Sequence, residues 1–318
     1  MKIILDLDTG IDDAMALTYA LGHEDAEILG VTSVFGNVEM EQGAKNASAV
    51  LALVNDDSVP VFEGADRALN ADTAYVQEEA SGIFHGRNGI GNVELADGRP
   101  VEDQHAVDFI IEQAKKYGKE LTLVTTGPLT NAALAIQKDP EAMAGINRIV
   151  SMGGALTVPG NVSIVAEANF NKDSEANNVV FSSDIPVTVV GLDVTLRTLL
   201  TEHDILEWKE GPNATEASRK MWEIVDYYMH AYDSSYDELA GSALHDPLAV
   251  SVALDPNWVE GEQFRIKSLY DDQQGRLVSD LNALNEGKVK NVRVALDVDP
   301  VAYKTHFMEK INRTLYGK

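Results

Sequence analysis

Short apolar runs recur along this chain, and each gives way to small polar residues and then to apolar positions at helical spacing. Residues 3–5 form the first run, and Ala14, Leu17, Ala20 and Leu21 follow it at intervals of three and four. Residues 27–34 and 59–62 read as further strands, with a helix between them carrying Ala44, Ala47, Val50, Leu51 and Val54 on its apolar face. The plan repeats with a helix over 105–117 and strands over 121–126, 148–154 and 186–191. Strands alternating with helices predict an α/β fold, an open, mostly parallel sheet with helices on both faces and a Rossmann-like core. The last third adds helices over 202–209 and 217–232, strands over 263–270, 276–281 and 292–296, and a closing helix from Pro300. No linker or long internal repeat divides the chain, so residues 1–318 read as a single domain.

One stretch breaks the rhythm. Residues 63–103 lose regular patterning, far beyond the usual connection of about 4–6 residues. Within it, His85-Gly86-Arg87-Asn88-Gly89-Ile90-Gly91 suggests a shaped, mobile turn.

Polar residues recur just after the predicted strands, where ligands bind in open α/β sheets. The first such turn holds Asp6, Asp8, Asp12 and Asp13. Read singly, Asp12 and Asp13 cap a helix, and Asp6 and Asp8 are solvated turn residues. Together, four carboxylates within eight residues repel one another in a partly dehydrated cleft, and a hard divalent cation would neutralise them. Neighbouring helical residues point about 100° apart, so one of Asp12 and Asp13 can hold metal with Asp8 while the other reaches a substrate. His245-Asp246-Pro247 forms a second acidic focus, although taken alone it reads first as a helix start, with Asp246 as N-cap and Pro247 as first helical residue. Tyr228 and Tyr232, four apart on one helical face, read as core before substrate platform.

Composition narrows the choice. With 25 basic against 51 acidic residues the net charge is −26, which argues against nucleic-acid partners and anionic membranes. There is no cysteine, hence no thiolate nucleophile and no cysteine-ligated metal. No apolar run approaches the roughly 18 residues of a membrane span, and a cytoplasmic location is expected. An EF-hand loop counted from Asp6 fails, because Ile11 and Leu17 fall where glycine and glutamate are required. A haloacid-dehalogenase-type phosphatase would follow its aspartate pair with glycine and threonine, whereas this chain has Thr9-Gly10.

Asp6-Leu7-Asp8-Thr9-Gly10-Ile11-Asp12-Asp13-Ala14 resembles the signature of the nucleoside hydrolases, of the inosine–uridine-preferring type. The likeness extends through Phe35-Gly36-Asn37, His85-Gly86, Thr126-Gly127-Pro128-Leu129-Thr130-Asn131, Met152-Gly153-Gly154, Glu167-Ala168-Asn169 and His245-Asp246-Pro247. It implies Ca²⁺ held by Asp8, Asp13, Asp246 and the backbone carbonyl of Thr126. It further implies that Asp12, Asn37, Met152, Asn161, Glu167 and Asn169 grip the ribose. Hydrolysis of a ribonucleoside to ribose and free base would then proceed by attack of a metal-bound water, with Asp8 as base. His245 and His85 are the candidates to protonate the leaving base, and Tyr228 and Tyr232 are carried as substrate contacts. Relatives that assemble as dimers or tetramers make a homo-oligomer the expectation. A metal-dependent phosphohydrolase and a non-catalytic nucleoside-binding protein are the competing functions. Thr9, Asn88 and Ala168 depart from the family pattern, which touches base preference more than catalysis.

Overall fold

Alternation along the first strand sets the two faces of a sheet. In the computed structural model, which describes residues 1–236, 239–279 and 292–317, Ile3, Leu5 and Leu7 of β1 (Lys2–Leu7) join one hydrophobic cluster and Ile4 joins another. Both faces of β1 are therefore dry, as expected of a central parallel strand. Truncating Ile4 to alanine would cost roughly 2–5 kcal/mol.

The remaining strands are β2 (Glu27–Ser33), β3 (Val61–Glu63), β4 (Leu121–Thr125), β5 (Arg148–Met152), β6 (Val187–Val190), β7 (Leu199–Leu200), β8 (Ser242–Ala243), β9 (Val259–Phe264), β10 (Ile266–Ser268), β11 (Leu277–Ser279) and β12 (Val292–Val298). Eight of them make one sheet in the order β3-β2-β1-β4-β5-β6-β12-β9. Every pairing in it is parallel except β12 with β9. The expected α/β sheet is thus present. The first cluster is completed by the helices Ile11–Leu21, Met40–Leu53, Glu216–Ser235, His245–Leu254 and Pro300–Leu315. The second is completed by Ala106–Tyr117, Thr130–Lys138 and Ser174–Phe181 on the opposite face.

Several expectations need correction. The predicted strand 263–270 is two strands: β9 stays in the main sheet beside β12, and β10 leaves it to pair with β11. Of the predicted strand 276–281, β11 covers Leu277–Ser279, and residues 280 and 281 lie outside the described residues. The unpatterned stretch 63–103 contains a helix, Glu79–His85; only His85 in it is buried, so it has no apolar stripe to read. Among the described residues no helix is long and apolar enough to cross a membrane.

Sheet order positions the site. From β1 the chain builds outward to β2 and β3 on one side and to β4, β5 and β6 on the other. The crevice beyond the carboxyl ends of β1 and β4 is the topological switch point.

Candidate active site

Asp8 and Thr126 each stand just past a carboxyl end at that switch point, Asp8 after β1 and Thr126 after β4. A cleft of about 300 Å³ opens above them, within the size range of small-molecule sites. It is lined by Asp12, Asn37, His85, Thr126, Met152, Asn161, Glu167, Asn169, Tyr228, Tyr232, His245 and Asp246. The sequence-derived site residues are thus brought together, with Asp8 and Asp13 fully buried beneath.

The four aspartates of the first turn do not form one cluster. Asp6 is not a solvated turn residue; its Oδ1 accepts from Thr32 Oγ1 at 2.6 Å and Asn131 Nδ2 at 2.8 Å, which ties β1 to β2 and to the Thr130–Lys138 helix. Burial pushes its pKa up to about 7. Asp8 is equally dry. Its Oδ2 accepts from the Asn37 backbone N–H at 2.7 Å, and Asn37 Nδ2 spans Asp8 Oδ1 at 3.2 Å and Asp13 Oδ2 at 3.3 Å. Gly36 permits this approach, since a Cβ there would lie 2.0 Å from Asp8 Oδ2.

Asp13 is locked in place by Gly10 N–H on Oδ2 at 2.8 Å and Thr126 Oγ1 on Oδ1 at 2.5 Å. Asp12, one residue earlier, faces the cleft, with Tyr228 Oη 3.4 Å from its Oδ2. One carboxylate oxygen each from Asp12, Asp13 and Asp246 lies within 4.8 Å of the others. Asp12 Oδ1 and Asp246 Oδ2 are buried without a hydrogen-bond partner. Burial and mutual repulsion raise Asp8 and Asp246 well above the carboxylate range. Burial raises Asp12 and Asp13 to about 6. Orphaned carboxylate oxygens with raised pKa values are the environment a hard cation would relieve, and an all-oxygen donor set suits calcium or magnesium. The tightest trio contains Asp12, with Asp8 beside it through the shared Asn37 amide.

Asp246 is not the N-cap expected from the sequence. The helix starts one residue earlier, at His245, and Leu244 is the capping position. Asp246 therefore keeps its carboxylate for the cleft. Glu167, by contrast, does cap a helix, Ala168–Lys172, where an irregular stretch was expected. Its oxygens accept from Asn169 N at 2.9 Å, Gly154 N at 2.8 Å and Phe170 N at 3.2 Å, which fixes the cleft wall. Asn169 Nδ2 donates to the Thr126 carbonyl at 2.5 Å, and Asn161 Oδ1 accepts from Ala168 N at 3.0 Å.

Both histidines depart from the near-neutral pKa of a free imidazole. Burial lowers His85 to about 4 and His245 to about 3, so both rings are neutral at pH 7. His85 Nδ1 accepts from Ile11 N–H at 3.2 Å, which assigns its proton to Nε2. His245 sits between Tyr232 Oη, 2.7 Å from Nε2, and Thr195 Oγ1, 2.7 Å from Nδ1. Tyr228 and Tyr232 are buried as core residues would be and still line the cleft, so both readings of the aromatic stripe hold. Sequence reasoning missed Thr195, Phe84, Tyr236 and Lys172. Tyr236 continues the i, i+4 series of Tyr228 and Tyr232 and was visible there, whereas Thr195 carries no local signal.

A family model described as inosine-uridine preferring nucleoside hydrolase matches residues 3–305. The chain belongs to this family. It is an enzyme, a nucleoside hydrolase that splits ribonucleosides into ribose and free base. A solved structure, the purine-preferring ribonucleoside hydrolase from Gardnerella vaginalis, is 43% identical with a TM-score of 0.96, each chain covered in full. The inosine-uridine preferring nucleoside hydrolase of Crithidia fasciculata is 37% identical over 265 residues, 82% of this chain and 81% of that protein. The probable uridine nucleosidase 2 of Arabidopsis thaliana is 36% identical over 258 residues, 80% of this chain and 78% of that protein.

Proposed function

We propose that this nucleoside hydrolase works with calcium, as one catalytic domain, and that Asp8 is the base that activates the attacking water. The observation that carries this reading is the buried Asp12–Asp13–Asp246 trio, two of whose oxygens have no hydrogen-bond donor. Asp13, Asp246, Asp8 and the Thr126 carbonyl would hold the ion, with Asp12 adjoining it where ribose enters. When bound, calcium would offset the carboxylate charge, take ribose hydroxyls into its shell and acidify the nucleophilic water.

The protein's own groups do the rest. Asp8 is aimed by two hydrogen bonds from Asn37, and with calcium offsetting the neighbouring carboxylates it would stand ionised, ready to take the water's proton. The surrounding carboxylates favour the positive charge that develops at the anomeric carbon as the glycosidic bond breaks. Asn37, Met152, Asn161, Glu167 and Asn169 shape the ribose pocket. Glu167 acts mainly by holding its wall, because its oxygens already accept three backbone N–H groups.

The leaving base departs toward His85, Tyr228, Tyr232 and His245. A neutral His245 cannot donate as an imidazolium. Tyr232 Oη instead offers its proton to the base, and the phenolate left behind is held by Nε2–H of neutral His245, whose Nδ1 accepts from Thr195 Oγ1, until water restores the proton. His245 then serves the base through Tyr232, in place of the direct acid role expected of it. The same reading carries the cytoplasmic location and homo-oligomeric state expected from the sequence.

Ribose release from inosine, uridine and cytidine, with and without a calcium chelator, tests the proposal. Chelator-sensitive release supports it, and the ranking of substrates gives the base preference. Binding of all three without release would favour a nucleoside-binding protein, and phosphate release from phosphate esters a phosphohydrolase.

A further inference from the structure

The amino ends of the parallel strands carry a second cavity, on the rim opposite the catalytic cleft. It encloses about 740 Å³ between the starts of β5, β6 and β12 and the β9–β10 corner. Its charge is the reverse of the chain's: Arg148, Arg265, Lys267 and Arg293 line it against one carboxylate, Asp184, in a protein with twice as many acidic as basic residues. Such a local inversion of sign focuses potential into a concave site.

The two inner arginines are held but not neutralised. Arg148 Nη2 donates to the Ala253 carbonyl at 2.8 Å, and Arg293 donates to the carbonyls of Pro256 at 3.3 Å and Val259 at 2.7 Å. Arg148 Nε is buried with no hydrogen-bond partner. Among the described residues none of the four cations has a carboxylate within ion-pair distance. Burial and the nearby Arg293 charge both oppose the charge on Arg148, so the pair repel each other across partly dehydrated space. Carbonyl contacts account for the orientation of the two guanidinium groups. Asp255 offsets part of the Arg148 charge from beyond ion-pair distance and Asp184 shares the lining, which leaves four cations against two carboxylates.

We propose that this cavity binds a phosphate-bearing anion, with Arg148 and Arg293 as its fixed floor and Arg265 and Lys267 closing on it from the rim. Planar guanidinium forks match phosphate oxygens. The shared chemistry is a phosphate group, free or on a nucleotide, and its site is separate from the nucleoside cleft.

The test is a thermal-shift and calorimetric titration of the calcium-free full chain with inorganic phosphate, and separately with a nucleoside 5′-monophosphate, at constant ionic strength set with sodium chloride. The comparison protein carries Arg265→Gln and Lys267→Gln, which touch neither the catalytic cleft nor the carbonyl ties of the floor. Saturable binding of inorganic phosphate, weakened roughly tenfold or more in the double variant with nucleoside hydrolysis unchanged, supports the proposal. Response to the nucleotide alone, equally sensitive to the double variant, supports it with the nucleotide as source. No response beyond that of chloride overturns it, as does binding equally strong in both proteins. Loss of a homo-oligomer in the double variant without any phosphate binding also overturns it, because the patch would then be a subunit contact.

Discussion

The floor and the wall of the catalytic cleft are built from different material. Asp8 and Thr126 stand just past the ends of buried parallel strands and Asp13 in the first turn of the helix Ile11–Leu21, the two carboxylates fixed by hydrogen bonds from Gly10, Asn37 and Thr126. His85, Tyr228, Tyr232 and His245 come from helices far apart in sequence and meet only in the fold. Tyr228 and Tyr232 pack edge-on with ring centres 4.9 Å apart, and His85 lies 5.4 Å from Tyr228. The floor offers charge and the wall offers aromatic surface and neutral donors. On the proposed mechanism, ribose chemistry and base recognition fall to separate structural layers, so the first could persist while the second varies. Three similar proteins, one purine-preferring, one inosine-uridine preferring and one a probable uridine nucleosidase, fit that separation.

Damage to the floor should be the most severe. Asp8→Asn removes the base while keeping the shape and the acceptor for the Asn37 backbone N–H, and turnover is expected to fall about 10²–10⁴-fold with the fold retained. Near-normal ribose release from that variant would remove Asp8 from its role. In the wall, Tyr232→Phe breaks the proton chain at one oxygen. It should slow inosine hydrolysis by roughly 10²-fold and leave a nitrophenyl riboside, whose leaving group needs no proton, nearly untouched. Equal losses on both substrates would mean that Tyr232 is structural.

Metal-free stability should separate the two layers by pH. Asp12 and Asp13 are raised to about 6 from an unfolded value near 3.8, so their contribution is full at low pH and lost as pH rises through about 6. His85 and His245 are lowered to about 4 and about 3 from 6.5, so theirs is full above 6.5 and lost as pH falls toward those values. Calcium acts on the first effect only. At a hundredfold excess over Kd it should add about 2.7 kcal/mol, and the gain in melting temperature should grow as pH rises through 6. A calcium shift that is flat from pH 5 to 8 would disconnect the ion from these carboxylates.

The smallest effect is expected outside both layers. Asn88 Oδ1 accepts from Ile90 N at 3.0 Å and Asn92 N at 2.9 Å, while its Nδ2 donates to the Val93 carbonyl at 3.0 Å. Gly86, Gly89 and Gly91 all take positive φ in the same turn. Asn88→Asp keeps the acceptor and loses the donor, costing about 1 kcal/mol of stability with little change in kcat. A large loss of kcat would place this turn in the chemistry.

Legibility in the sequence followed the same division. The sheet could be read because the parallel strands are short, mostly apolar runs, and the aspartates could be read because six positions hold three of them, Asp8, Asp12 and Asp13. The parting of Asp6 from that group could not, because its partners Thr32 and Asn131 lie 26 and 125 residues away. The helix Glu79–His85 was hidden by its exposure, and the neutral state of the histidines by burial that no local pattern encodes. Thr195 was silent for the same reason: it meets His245 across 50 residues. The family resemblance located the wall; residue spacing alone did not.

The central claim is that the buried carboxylates of the floor hold a calcium ion on which ribose release depends. Calorimetric titration of the metal-free chain with calcium, followed by an assay of the same sample on inosine, tests it most directly. The account predicts one calcium site per chain, lost in Asp246→Asn, with turnover rising in step with occupancy. Full turnover in the metal-free protein, or calcium binding undiminished by Asp246→Asn, would contradict it.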